Sequence, residues 1–228
     1  MQNGTARKAS TSDKRRVRTR EALIRAGMSL FGHGPSDAVS IDDIVKAAGT
    51  SKQTFYNHFV DKQALLADIL HAVRARYEAL CFQVNEGETD AARRSARALC
   101  VYARQTIDDP EGGHFVARMI LDDLGLGDMN RGVVGDLELG LAQGRYSLPV
   151  LETGVAYIFG ITQALVARIL LCNDLSMATA IAQQFSMLML RALGVDAREA
   201  EMISSQAADQ IVRRGFDHLP PSQSAPSL

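Results

Sequence analysis

The chain has 228 residues, 46% of them hydrophobic and 22% charged, the balance of an ordinary globular protein and well outside the disordered class. Three widely spaced cysteines (Cys81, Cys100, Cys172) exclude a disulfide scaffold or a Cys-based zinc site and fit a reducing compartment. The net charge of −1 hides a split: residues 1–62 carry 11 Lys+Arg against 6 Asp+Glu, and no lysine follows Lys62. Such a split predicts a basic N-terminal module for a polyanion and a larger acidic module with another task.

In chain order, residues 1–15 are polar and basic and read as a disordered arm, with no secretory signal. From Arg16, Leu23, Ile24, Gly27, Leu30 and Phe31 trace one helical face, ended by Gly32 and Gly34-Pro35. Ser40 caps a short second helix with Asp43 completing the capping pattern, and Ile41, Ile44, Val45 and Ala48 form its buried stripe. Gly49 stops it. Ser51 caps a third helix that turns Phe55 and Phe59 inward and Lys52, Gln53, Tyr56 and Asn57 outward. Asp61 opens a fourth helix running to Leu80. Further helices are expected near 90–107, 111–122, 131–143, 148–171, 175–193 and 196–214, with breaks at Asp109-Pro110, Gly112-Gly113, Gly125–Gly127 and Leu148-Pro149. The proline- and serine-rich end, 217–228, is expected to stay disordered. The fold class is therefore all-α, with no internal repeat.

Two short helices across a glycine turn, the second with an aromatic inner face and a polar outer one, suit DNA: the second fits the major groove while the first braces it. Ser40 through Phe59, with its Thr54-x-Tyr56-x-His58-Phe59 run, and then Asp61-Lys62, resemble the DNA-binding domain of TetR-type transcriptional regulators; the match covers roughly residues 16–66. Thr50 and Gln53 depart from the usual residues of that family, and Gln53 is able to bond adenine bidentately. The resemblance implies a helix-turn-helix domain over 16–62 and a helical ligand-binding and dimerisation domain over 63–216. It implies DNA contacts from Ser40, Ser51, Lys52, Gln53, Thr54, Tyr56, Asn57, His58 and Lys62. Lys52, Gln53 and Asn57 would reach base edges or nearby phosphates, Thr54 and Tyr56 the backbone or a thymine methyl, and His58 and Lys62 phosphates.

An enzyme is not expected. No catalytic or phosphate-loop motif appears, the five histidines lack metal-ligand spacing, and a glutathione-transferase-like fold would need a sheet-forming N-terminal half. No cofactor or metal is called for. The apolar run 154–172 approaches a membrane span in length, but Gln163 and Arg168 inside it are costly in lipid. By the resemblance, segments 148–171 and 175–193 form a homodimer bundle, with Leu165, Ile169, Ile181, Phe185 and Leu188 at the interface. The resemblance also places a ligand pocket in the second domain, for which Phe82, Tyr102, His114, Phe115, Arg118, Met119, Tyr157 and Gln163 are the candidates. The expected protein is a cytoplasmic repressor of a palindromic operator, released by a small apolar or aromatic ligand. A helix-turn-helix regulator without an effector, or an activator, is the alternative.

Overall fold

The computed structural model describes residues 11–119 and 131–216. Residues 1–10 of the expected arm 1–15, the tail 217–228 and the Gly125–Gly127 break lie outside them. Every regular element described is helical: α1 (Thr11–His33), α2 (Ile41–Ala47), α3 (Lys52–Tyr56), α4 (Lys62–Val84), α5 (Ala91–Asp108), α6 (Pro110–Met119), α7 (Arg131–Ala142), α8 (Leu151–Ile169), α9 (Leu175–Ala192) and α10 (Ala197–Ala207), which continues as a π-helical segment over Ala208–Arg213. Among the described residues no helix is long and apolar enough to cross a membrane.

The chain divides into two compact units between Ile69 and Leu70. In the first, α1 begins at Thr11, so residues 11–15 are helical rather than part of an unstructured arm. Leu23, Phe31, Ile44, Phe55, Leu65 and Ile69 are fully enclosed and form its core. Gly27 lets α1 approach α4: a Cβ there would lie 2.9 Å from Ile69 Cδ1 and 3.0 Å from Leu65 Cδ2. The two short helices are made by their ends. The Ser40 hydroxyl accepts from the Asp43 amide while the Asp43 carboxylate accepts from the Ser40 amide, a reciprocal cap. Gly49, at φ +63°, supplies the left-handed turn that ends α2, and Ser51 accepts from the Thr54 amide to start α3. Only Lys52–Tyr56 is helical. Phe59, read as the end of that helix, sits in the following turn and is still buried.

In the second unit α5 is the hub, packing on α6, α7, α8, α9 and α10. Its Leu99, Cys100, Val101 and Ala103 are buried. Asp109-Pro110 is the break between α5 and α6, and Gly112-Gly113 is not. Both glycines lie within α6 because they are contact points: a Cβ on Gly112 would meet Asp109 Oδ2 at 2.6 Å, and one on Gly113 would meet Thr106 Cγ2 at 2.7 Å. Gly140 of α7 faces the Tyr146 ring, 2.0 Å from where its Cβ would stand. The Tyr146 hydroxyl donates to the Ala91 carbonyl at 2.9 Å. At the rim Arg145 bonds Glu199 at 2.8 Å.

Candidate nucleic-acid interface and effector cavity

On the first unit, α3 presents Lys52, Gln53, Tyr56 and Asn57 to solvent, while Phe55 is buried beneath them. Tyr56 stands edge-on to Phe55, centroids 5.5 Å apart, and is 56% exposed. Its ring is braced by the core while the hydroxyl faces out. Lys52 Nζ rests 2.9 Å from Asp42 Oδ1 across the turn, and that carboxylate holds the ammonium above its usual pKa. Such an exposed pair is weak and screened by salt, so a phosphate can compete for the ammonium. Thr54 is half-buried, with its hydroxyl 2.9 Å from that of Ser51.

His58 is half-buried, in a shallow recess bounded by Asp13, Arg16, Val17 and Arg20 of α1. Burial, then the charges of Arg16 and Arg20, push its pKa down. Arg20 lies 5.3 Å over the Phe59 ring and pairs with Asp68. The basic run of the sequence therefore becomes a helical face that adds Arg16 to the neighbourhood of His58. The spacing of Asp13, Arg16 and Arg20 at three and four residues carried that signal once the helix was extended to Thr11. Lys62 differs from its expected role. Its ammonium donates to the Ser36 carbonyl at 2.7 Å and to the Val39 carbonyl at 2.8 Å, tying the α1–α2 loop to the start of α4.

The second unit holds a partly open cavity of about 110 Å³. Leu70, Val73, Leu99, Phe115, Val116, Leu137, Phe159 and Met189 supply apolar wall, and Tyr77 and Tyr102, stacked at 4.4 Å, supply ring faces. Its polar groups are Arg74, Glu78, Asn85, Arg94, Ser95, Asp136 and Thr162. Arg94 Nε binds Asp136 Oδ1 at 2.6 Å. Burial pushes both Glu78 and Asp136 up toward the neutral acid, and it raises the Cys81 thiol to about 12. A thiol so raised is a poor nucleophile.

Residues 23–69 match the family of bacterial regulatory proteins, tetR family, and residues 90–206 match the tetracyclin repressor-like C-terminal domain. The chain belongs to the TetR family of transcriptional regulators. Members of this family are transcription factors and not enzymes. The chain is 33% identical over 79 residues to YwcC, an uncharacterised helix-turn-helix-type transcriptional regulator of Bacillus subtilis; the match spans 35% of each protein, about a third of that relative's length. It is similar to the solved structure of RolR in complex with the ligand resorcinol, at 28% identity and TM-score 0.57, covering 85% of this chain and 96% of that one. It also shares its fold with an ArpA-like gamma-butyrolactone receptor, at 16% identity and TM-score 0.60, covering 86% of this chain and 99% of that one.

Within this TetR-family chain, the cavity gathers Phe82, Tyr102 and Phe115 of the expected pocket residues, Phe82 from an exposed position at its lip. His114, Arg118, Tyr157 and Gln163 do not line it. They stand on the flanks of α6 and α8, one or two positions from the residues that face inward. Gln163 instead donates to the Ala117 carbonyl at 2.6 Å, fastening α8 to α6, and Arg118 is exposed. Met119 closes α6, and its side chain lies outside the described set. Sequence reasoning missed Tyr77, Glu78, Asn85, Arg94 and Asp136, whose convergence is a tertiary event between α4, α5 and α7.

Two of the expected interface residues also need correction. Leu165 is fully buried and Ile169 is 3% exposed within a single chain, so both belong to the core of their own unit. The apolar run is continuous because α8 is covered on one side by α5, α6 and α9. Ile181 and Phe185 are half-buried, and Leu188 is 52% exposed.

Proposed function

We propose that this TetR-family chain is a repressor that, as a homodimer, holds a palindromic operator and is released by a small, mainly apolar molecule bound in the second unit. The observation that carries the reading is the cavity, with its apolar walls and polar minority. The resorcinol complex of RolR supports it, since a relative at 28% identity takes up a small aromatic ligand. In the DNA-bound state two α3 helices enter successive major grooves, roughly 34–36 Å or a multiple apart. Gln53 and Asn57 read base edges, Ser40, Ser51, Lys52, Thr54 and Tyr56 engage the backbone or a thymine methyl, and Arg16 and His58 add charge beside it. The helix-turn-helix domain over 16–62 and the ligand-binding domain over 63–216 are joined in α4, which leaves the first unit and then contributes cavity wall. Occupancy acts only through the ligand's differential affinity for the two spacings.

For the two-fold contact we propose the outer stripe of α8 and α9. On α8, Ala156, Ala164 and Ala167 are exposed and Gly160 half-buried, small residues that allow close approach; on α9 the stripe holds Met177, Ile181, Phe185 and Leu188. The same face then meets itself.

Selecting bound duplexes from random DNA with the full chain, then titrating the selected site by fluorescence anisotropy at several salt concentrations, tests the reading. Affinity that falls steeply with salt, and falls again on adding a small apolar compound, supports it. A salt-independent affinity would sink the DNA-binding assignment. Binding that no small molecule alters favours the effector-free regulator, and a reporter gene that rises with the protein favours an activator.

A further inference from the structure

The shallow recess of the first unit gathers charge from two elements. Asp13, Arg16, Val17 and Arg20 follow one another at three- and four-residue spacing along one face of α1, and His58 meets them from the turn after α3. That turn is fixed on both sides of the histidine. The His58 amide donates to the Phe55 carbonyl at 2.9 Å, and Phe59 beside it is buried. The imidazole is therefore held against α1, half-buried. Arg16 lines the recess from an exposed position. The other charged groups nearby have posts of their own. Arg20 covers the Phe59 ring at 5.3 Å and pairs with Asp68 of α4. Asp61 caps α4 by accepting from the Ala64 amide at 2.7 Å, and Asp13 has a partner already.

Two guanidiniums and an imidazole around an open recess suit an anion, and a duplex carries its anions as backbone phosphates. His58 lies just beyond Tyr56 and Asn57, both exposed at the end of α3, so a duplex held by that helix runs within reach of the recess. The protonation of His58 is poised against such a visit. In the free chain burial, then the charges of Arg16 and Arg20, oppose an imidazolium, and the ring is neutral near pH 7. A neutral imidazole offers one N–H, whereas an imidazolium offers two and a positive charge. A phosphate oxygen arriving beside the ring reverses the local field, because an anion within about 4–6 Å favours the charged form.

We infer that the recess seats one backbone phosphate of the bound duplex between Arg16 and His58, and that His58 takes up a proton as the phosphate enters. The inference rests on the DNA-binding reading above and adds a proton to that equilibrium. DNA is then held more tightly in acid. The bound ring keeps its proton to a higher pH than the free ring, so affinity climbs as pH falls between the two values and levels off once the free ring is protonated as well.

A duplex selected by the full chain from random DNA, titrated by fluorescence anisotropy at fixed salt between about pH 8 and 5.5, tests it; affinity should rise by up to about tenfold per half-site for each pH unit. Calorimetry in buffers of different ionisation enthalpy should show protons taken up on binding. His58→Gln should remove both the rise and the uptake while the duplex is still bound. Arg16→Gln, at an exposed position, probes the seat without touching the histidine and decides the matter even where His58→Gln does not fold. It should weaken binding at every pH and, by relieving the charge on His58 in the free chain, bring the acid plateau to a higher pH. Proton uptake that survives His58→Gln overturns the inference, as does an unchanged plateau in Arg16→Gln. A wild-type affinity independent of pH overturns it and leaves the DNA-binding reading standing, whereas failure to bind any duplex at any pH removes both.

Discussion

The two units place their chemistry on opposite sides of their cores. In the first, the candidate DNA-reading groups are outside, carried on helices of seven and five residues whose ends are fixed by Ser40, Gly49 and Ser51. Each cap is local, made by residues three positions apart. In the second, the polar groups of the cavity are inside, drawn from helices as far apart in the chain as α4 and α8. A side chain on the first surface is replaceable without disturbing the fold, because nothing packs on it. A side chain around the cavity belongs to the site and to the core together, so changing it alters folding and recognition at once.

The sharpest way to break this contrast is at α8. Leu165→Asp puts an unpaired carboxylate into the core of the second unit and should cost more than about 4 kcal/mol, seen as loss of cooperative melting in circular dichroism. Leu188→Asp, on an exposed position of α9, should leave the melt of the chain nearly intact and shift sedimentation toward the monomer. Equal effects from the two would erase the distinction between core and outer stripe. Gly140→Ala drives a methyl into the Tyr146 ring and should destabilise by roughly 1–3 kcal/mol, read as a lowered melting temperature.

Lys62→Ala tests whether an outward-looking residue of the first unit is in truth structural. Losing its two carbonyl contacts should cost roughly 1–3 kcal/mol, and operator affinity per folded molecule should fall little. A uniform loss of DNA affinity at unchanged stability would restore the phosphate-binding role read from the resemblance. Gln53→Ala should do the reverse. Stability should stay within about 0.5 kcal/mol while a binding-site selection shows relaxed preference at one or two base pairs, worth about 1–3 kcal/mol.

The smallest effect is on pH. His58 in the fold has its pKa lowered by burial and by Arg16 and Arg20. The unfolded chain therefore takes up the proton first as pH falls below the ordinary histidine value of about 6.5. Stability of the first unit is full above that value, declines as pH drops through it, and levels off once the folded state is also protonated. Thermal melts between pH 8 and about 5 should show this slope, and His58→Gln should flatten it.

The helix-turn-helix was legible because its signals are local. Caps, a glycine at positive φ and an alternation of buried and exposed residues can all be read within twenty positions of Ser40. The length of α1 was missed because a polar, arginine-rich helix with few apolar residues looks like a solvated arm. The cavity was only half legible for a different reason. Aromatic residues at helical spacing gave Phe82, Tyr102 and Phe115, but neighbouring positions on one helix differ by 100° in direction. Without the rotation of α6 and α8, Phe115 could not be told from His114, nor Phe159 from Tyr157. Asn85 gave no signal at all, since a buried acceptor without a donor exists only once its neighbours are in place. The same limit misplaced Leu165 and Ile169, because an apolar stretch does not say whether its cover is its own chain or a second one.

The stacked tyrosines have a spectroscopic consequence. The chain contains five tyrosines and no tryptophan, so its ultraviolet emission is tyrosine emission, undimmed by transfer to an indole. Two of the five, Tyr77 and Tyr102, are cavity wall. Filling the cavity would change the polarity around those two rings and leave Tyr56, exposed on α3, in a different environment altogether. The wild-type chain therefore carries its own optical gauge of occupancy, and Tyr56→Phe would remove the background from the other unit without touching the gauge.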